Sequence, residues 1–222
     1  MNAAPAYKIR SLVYSYDGKT VLDIPHLDIP QGRVCGLTGP NGSGKSTLLA
    51  ILALLRRPVS GSLDLHGTEV TPGNIALLRR KVTMIHQKPV LFSTTVRTNI
   101  AYGLRASGVP SRETAARVCA IIEETGLSAI ADRQARALSG GEAQRAVLAR
   151  GLVLERPVVL LDEPTNSLDE AFRPTLLRLL REATRARKTT IVIAAHDLSF
   201  VSSIADSVIR LDAGKLIGNE DL

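Results

Sequence analysis

Two rhythms of hydrophobic positions alternate along the chain. Ile9–Tyr16 and Val21–Ile29 switch between apolar and polar residues on either side of an Asp17-Gly18 turn, which predicts two strands with one face buried. The Pro30-Gln31-Gly32 turn leads into a strand over Arg33–Thr38, and a helix is expected from Ser46 to about Leu55. Gly61–Leu65 reads as a short strand and Lys81–His86 as a buried one. Helical spacing fills 111–125 and 142–154, and Leu176–Arg187 is amphipathic. Val158–Leu161 is an unbroken apolar run bounded by Pro157 and Asp162, the pattern of a central parallel strand, and Ile191–Ala195 repeats it. Strands alternating with helices predict an α/β fold whose parallel sheet is covered on both faces. Such sheets hold ligands at the carboxyl ends of their strands.

Composition narrows the possibilities. At 222 residues, 45% apolar and 22% charged, the chain suits one globular domain with a filled core. A net charge of +7 points to an anionic partner, but an aromatic content of 3% with no Trp argues against stacking single-stranded bases. Two Cys cannot build a disulfide framework or a four-thiolate zinc site, so a reducing setting is expected. Cys35, in a strand, and Cys119, on a helix, read as small buried hydrophobes. The start, MNAAPAYKIR, lacks the apolar core of a leader peptide. The longest apolar run, Leu48–Leu55, is too short to cross a bilayer, which takes about 20 helical residues. Arg173–Lys188 carries six basic residues and one acid, and reads as a solvated face.

The chemistry begins after the third strand. Gly39-Pro40-Asn41-Gly42-Ser43-Gly44-Lys45-Ser46-Thr47 matches G-x-x-x-x-G-K-[ST] in full, between a strand and a helix. Glycines let consecutive amides turn inward onto phosphates, and the helix that follows aims its positive end at the same anion. Lys45 reaches the β- and γ-phosphates, and the Ser46 hydroxyl suits Mg²⁺. At the end of the Val158–Leu161 strand, Asp162 is expected to hold that metal through water, and Glu163 to polarise or deprotonate the attacking water.

A third motif is more specific. Leu138-Ser139-Gly140-Gly141-Glu142-Ala143-Gln144 opens a helix and resembles the signature motif of ATP-binding-cassette ATPases, with Glu where the commonest form has Gln. Ser139 suits the helix cap, and Gly140 permits close approach. The resemblance covers nearly the whole chain. It implies a P-loop NTPase core of the RecA-like kind with a mostly parallel sheet, an antiparallel β sub-lobe, and a helical signature sub-lobe over 93–154, all within one domain spanning 1–222. Tyr16 resembles the aromatic that stacks on adenine, and Gln87 the glutamine that touches Mg²⁺ and water. Ser167-Leu168-Asp169 resembles the loop that crosses between subunits, and His196 the switch histidine at the γ-phosphate. His26, His66 and His86 have no such place and read as structural.

One phosphate loop and one signature per chain imply, by the same resemblance, a head-to-tail dimer of identical chains. ATP at one Lys45 would be closed over by the partner's Ser139-Gly140-Gly141 motif. The resemblance further implies transmembrane permease subunits, an indirect substrate-binding protein, a peripheral place on the cytoplasmic face of the inner membrane, and no nucleic acid. A soluble cassette ATPase, such as the iron–sulfur assembly type, is the alternative, as is an importer of another substrate class. Gln87–Ser93 and Val96–Leu104 resemble importer subunits, most of all those for oxyanions such as tungstate, molybdate or phosphate. Apolar Val90, Leu91 and Phe92 suit either a groove for a membrane subunit or packing of the helical sub-lobe. Leu222 follows closely on the last strand, leaving no room for the regulatory domain of molybdate and sugar importers, which favours tungstate-like or phosphate-like systems.

Overall fold

The computed structural model describes residues 5–222. Met1–Ala4, part of the segment read as lacking a leader, lie outside the described residues. The elements run β1 (Pro5–Tyr16), β2 (Lys19–Pro30), β3 (Val34–Thr38), α1 (Lys45–Leu52), β4 (Ser60–Leu65), β5 (Thr68–Glu69), α2 (Ile75–Arg79), β6 (Val82–Ile85) and α3 (Val96–Ala106). They continue through α4 (Ser111–Glu124), α5 (Gly140–Leu152), β7 (Val158–Asp162), α6 (Arg173–Arg187), β8 (Thr190–Ala194), α7 (Leu198–Ser202), β9 (Ser207–Asp212) and β10 (Lys215–Asp221). Two compact units emerge, one from residues up to Met84 with Arg156–Glu163 and Leu180–Leu222, the other from Ile85–Glu155 and Pro164–Leu179.

The first unit is built on a sheet of order β5-β4-β1-β2-β10-β9-β3-β8-β7-β6. β1, β2 and β4 pair antiparallel. Tyr16 faces Lys19 across a two-residue turn in which Asp17 and Gly18 both have positive φ, the geometry that matches the twist of a hairpin. β3, β8 and β7 are parallel neighbours, and every residue of all three is buried. That double burial is why their sequences are continuously apolar rather than alternating. Because β8 lies between β3 and β7, the segments leaving all three emerge side by side at one edge.

Tyr7 of β1 fastens the antiparallel part to the parallel part. Its ring is fully buried and its hydroxyl donates to the Leu52 carbonyl at the end of α1, 2.8 Å away. Burial pushes the phenol pKa far up, so it stays a neutral donor at any physiological pH.

The second unit holds α3, α4 and α5. Val96, Ile100 and Leu104 form the buried stripe of α3, and Thr95 caps it by accepting from the Thr98 amide. The hydrophobic spacing assigns no helix to 96–106, where Asn99 and Gly103 interrupt it, although the resemblance puts the segment in a helical sub-lobe. Asn99 is fully buried for a purpose: its amide spans the preceding loop, accepting from Phe92 N–H at 2.8 Å and donating to the Phe92 and Thr95 carbonyls.

Other expectations are corrected. Helix α1 starts at Lys45 and ends at Leu52, and α5 starts at Gly140 rather than 142. Periodicity does not separate β9 from β10, since β10 is polar and exposed along most of its length and is held by its backbone pairing with β9. Cys35 is buried, but Cys119 faces solvent from α4, because the apolar side of that helix falls on Val118, Ile121 and Ile122. His26 and His86 are exposed, not structural; only His66 is partly enclosed. Arg178, Arg181 and Arg185 are exposed, as a solvated face requires.

Candidate functional site

The loop between β3 and α1 is shaped by its glycines. Gly39 has φ 146° and Gly44 φ 103°, in the left-handed half of backbone space. A Cβ at Gly39 would fall 2.0 Å from the Leu211 carbonyl oxygen, and one at Gly44 would fall 2.6 Å from Leu22 Cδ2. No larger residue fits at either point. The turn is drawn tight by Ser43 N–H donating to Pro40 O at 3.2 Å, and anchored by Gly214 N–H donating to Ser43 O at 3.0 Å. The Ser43 hydroxyl is buried without a hydrogen-bond partner, and no side chain caps α1. Loop and helix start therefore converge unsatisfied donors on one spot, a ready receptor for an anion.

Lys45 supplies the fixed charge. It is 7% exposed, and its ammonium donates to the Gly39 and Pro40 carbonyls at 2.8 and 3.0 Å. Burial lowers its pKa, while the fields of Glu163 and then Asp162 push it back up. A buried cation held only by carbonyls gains from any anion brought to it.

From β7 come the two acids. Asp162 is buried and accepts a hydrogen bond from the Ser46 hydroxyl at 3.2 Å. Glu163 leaves the strand with φ 48°, held there by its N–H donating to Ala194 O of β8 at 2.8 Å. A non-glycine residue at positive φ is strained, and the strain turns the Glu163 side chain away from the direction β7 would give it. Its carboxylate meets the segment after β8: Oε2 accepts from His196 N–H at 3.3 Å, and Oε1 lies 3.3 Å from His196 Nε2, too poorly aligned to be a hydrogen bond. Oε1 is thus a buried carboxylate oxygen with spare accepting capacity, the property a proton acceptor needs.

Lys45, Ser46, Asp162, Glu163 and His196 are thereby brought together in the first unit. Gly39, Pro40, Asn41, Gly42, Ser43 and Thr47 belong to the same loop and helix start, and Tyr16, at the tip of β1, is 58% exposed.

The remaining predicted residues belong to the second unit. Gln87 is exposed in the bend after β6. Ser139 caps α5, its Oγ accepting from Glu142 N–H at 3.3 Å, while Glu142 reaches back to accept from Ser139 N–H at 2.8 Å. This reciprocal box, not anticipated from sequence although Ser-x-x-Glu encodes it, is extended by an ion pair from Arg133 to Glu142 at 3.1 Å. Together these contacts hold the Glu142 carboxyl below its usual range, the backbone bond at Ser139 contributing most. Asp169 lies against the same helix start: a Cβ on Gly141 would come within 3.1 Å of its carboxylate. Further along, the Phe92 and Tyr102 rings pack at 4.6 Å, with Arg150 over Phe92 and donating to the Val90 carbonyl at 2.7 Å. Val90, Phe92 and Tyr102 remain 71%, 48% and 54% exposed.

Among the described residues no helix is long and apolar enough to cross a membrane. Residues 22–166 match the family model described as "ABC transporter". The chain is 33% identical to the tungstate uptake system ATP-binding protein TupC of Peptoclostridium acidaminophilum, over 96% of this chain and 97% of that protein. It is 37% identical to the methionine import ATP-binding protein MetN of Thermobifida fusca, over 98% of this chain and 68% of that one. Among solved structures it resembles the ATP-binding cassette MJ0796, seen as a dimer bound to ADP and Pi, with a TM-score of 0.89 and 25% identity over 97% of this chain and 98% of that one. The phosphate loop, the paired acids and these likenesses agree: the chain belongs to the ABC transporter family, among the ATP-hydrolysing subunits of importers.

Proposed function

We propose that the chain hydrolyses ATP to drive uptake of an oxyanion of the tungstate kind through separate membrane subunits. The observation that supports the substrate class is the likeness to the tungstate uptake ATPase, 33% identical along nearly the full length of both chains. A peripheral place on the cytoplasmic face of the inner membrane goes with this role. The exposed Val90, Phe92 and Tyr102 cluster, braced by Arg150, is the surface offered to a permease segment.

In this reading the loop amides, Lys45 and Thr47 bind the phosphates of ATP while Tyr16 receives the base. Ser46 and Asp162, already hydrogen-bonded to each other, offer the hard oxygen donors that magnesium takes, Asp162 through water, and the family resemblance gives Gln87 a place on the same ion. Magnesium, when bound with the nucleotide, neutralises charge on the phosphate oxygens. Glu163 accepts the proton of the attacking water on Oε1, and His196, fixed by its backbone bond to Glu163, faces the γ-phosphate. Ser139, Gly140, Gly141 and Asp169 act on the nucleotide held by a second copy of the chain, a reading supported by the dimeric relative.

The test is reconstitution with the permease and its anion-binding protein, reading ATP turnover as each solute is added. Stimulation by tungstate, molybdate or phosphate, with methionine and nickel inert, is the expected result. Stimulation by methionine alone would overturn the substrate class.

A further inference from the structure

At the opposite end of α1 from the phosphate loop, Arg56 reaches across to β1. Its guanidinium lies over two tyrosine rings, 5.6 Å from the centroid of Tyr14 and 5.8 Å from that of Tyr16, and it also donates to the Tyr14 hydroxyl. Tyr14 and Tyr16 stand two residues apart on one strand, and both rings meet the same guanidinium, so their side chains leave the same side of it. The stretch carrying Arg56 is fixed at both ends, to α1 by Arg56 N–H donating to Ala50 O at 3.3 Å and to β1 by Val59 N–H donating to Val13 O at 2.8 Å.

Tyr16 needs such a brace. It sits at the hairpin tip, next to the Asp17-Gly18 turn, more than half exposed and outside the hydrophobic core. No core packing selects its ring orientation, and a mobile ring makes a poor stacking surface. A guanidinium over one face restrains the ring through cation–π attraction and leaves the other face free. Because Arg56 belongs to the segment that ends α1, the same helix whose first turn forms the anion receptor also sets the aromatic surface.

We propose that Arg56 is a positioning residue for the nucleotide base: it backs the Tyr16 ring so that adenine stacks on the outer face, giving an Arg–Tyr–adenine layer. The proposal rests on the reading of Tyr16 as the base platform. Its effect must therefore depend on the base and be absent for the phosphates alone.

The experiment measures binding of ATP and of inorganic tripolyphosphate to the full chain by calorimetry, for the natural protein and for Arg56→Ala, Arg56→Lys, Tyr16→Ala and the Arg56→Ala/Tyr16→Ala double variant. Arg56→Ala is expected to weaken ATP binding about three- to fivefold, with Arg56→Lys between the two. Tripolyphosphate affinity should stay within about twofold, which also certifies that the variants fold. In the Tyr16→Ala background, removal of Arg56 should cost nothing further for ATP, because the ring through which it acts is gone. Equal weakening of ATP and tripolyphosphate would make Arg56 a simple electrostatic contributor and overturn the proposal. So would ATP binding that falls in Tyr16→Ala and is untouched in Arg56→Ala. If Tyr16→Ala itself binds ATP normally, the platform reading fails, and the role of Arg56 falls with it.

Discussion

The strand-end site of the first unit and the helix start of the second treat charge in opposite ways. In the first, Lys45, Asp162 and Glu163 are all under a tenth exposed, and the cation is met only by carbonyl oxygens. The cost of burying these groups is carried by the fold itself, and the unsatisfied donors around them await an anion. In the second, two donors at the start of α5 are engaged within the chain, Ser139 N–H by Glu142 and Glu142 N–H by Ser139, and the Asp169 carboxylate lies beside Gly141. An incoming phosphate would have to compete there with carboxylates belonging to the chain. The difference teaches that one half of the chemistry is held permanently ready and the other is self-satisfied until something displaces its internal partners. In the proposed dimer, a closure that reverses in every cycle would call for that asymmetry, since an over-tight second contact would not reopen.

The comparison breaks most easily at Glu163. Glu163→Gln keeps the side chain's shape and removes its basicity, so turnover should fall about a thousandfold while ATP still binds. The protein should then accumulate as an ATP-bound dimer, measured by size-exclusion chromatography with light scattering. Near-normal turnover would remove Glu163 from the reaction. Lys45→Ala attacks the same region through binding. It should weaken ATP affinity roughly a hundredfold, the scale of losing one partner of a buried charged contact. Because Lys45 also fastens its loop through the Gly39 and Pro40 carbonyls, part of that loss should appear as earlier thermal unfolding without nucleotide.

How much of this was legible in the sequence divides along the same line. The parallel strands announced themselves as apolar runs because both their faces are buried, while the residues at their ends came from the phosphate-loop spacing and, for His196, from the family resemblance. The Asp17-Gly18 hairpin was equally plain, since few other pairs take positive φ together. Helix α3 was not, because Asn99 serves the preceding loop rather than the helix face and so breaks the periodic signal. β10 escaped because backbone pairing, not side-chain burial, holds it. In the site, the meeting of Ser46 with Asp162, and of Glu163 with His196, joins positions far apart in sequence that only sheet order brings together. Arg56 lay beyond sequence reasoning altogether: nothing local says that an arginine after α1 faces a strand tip. Cys119 shows the reverse error, a residue type that is usually buried but falls on the wet side of its helix.

The finest test of the comparison is Glu142→Gln, which alters the second region by one proton's worth of charge. Glutamine can still accept from Ser139 N–H and keep the helix start closed, but it cannot pair with Arg133 or titrate. Because the folded protein holds the Glu142 carboxyl below its usual range, its contribution to stability is present above the ordinary glutamate pKa of about 4.3 and is lost as pH falls through the lower folded value. The melting temperature of Glu142→Gln should therefore lie about 1 °C below that of the natural chain at pH 7, and the gap should close in acid below pH of about 4. The same substitution removes a negative charge from the surface a partner-held phosphate must approach. ATP-driven association should strengthen about two- to threefold at low salt, and the gain should fade as ionic strength approaches about 1 M, where screening acts within roughly 3 Å. A melting gap that persists unchanged into acid would mean that the charge of the Glu142 carboxylate is not what stabilises the helix start. The self-satisfied character of the second region would then rest on the hydrogen bonds of the box and on Asp169 rather than on the charge of Glu142.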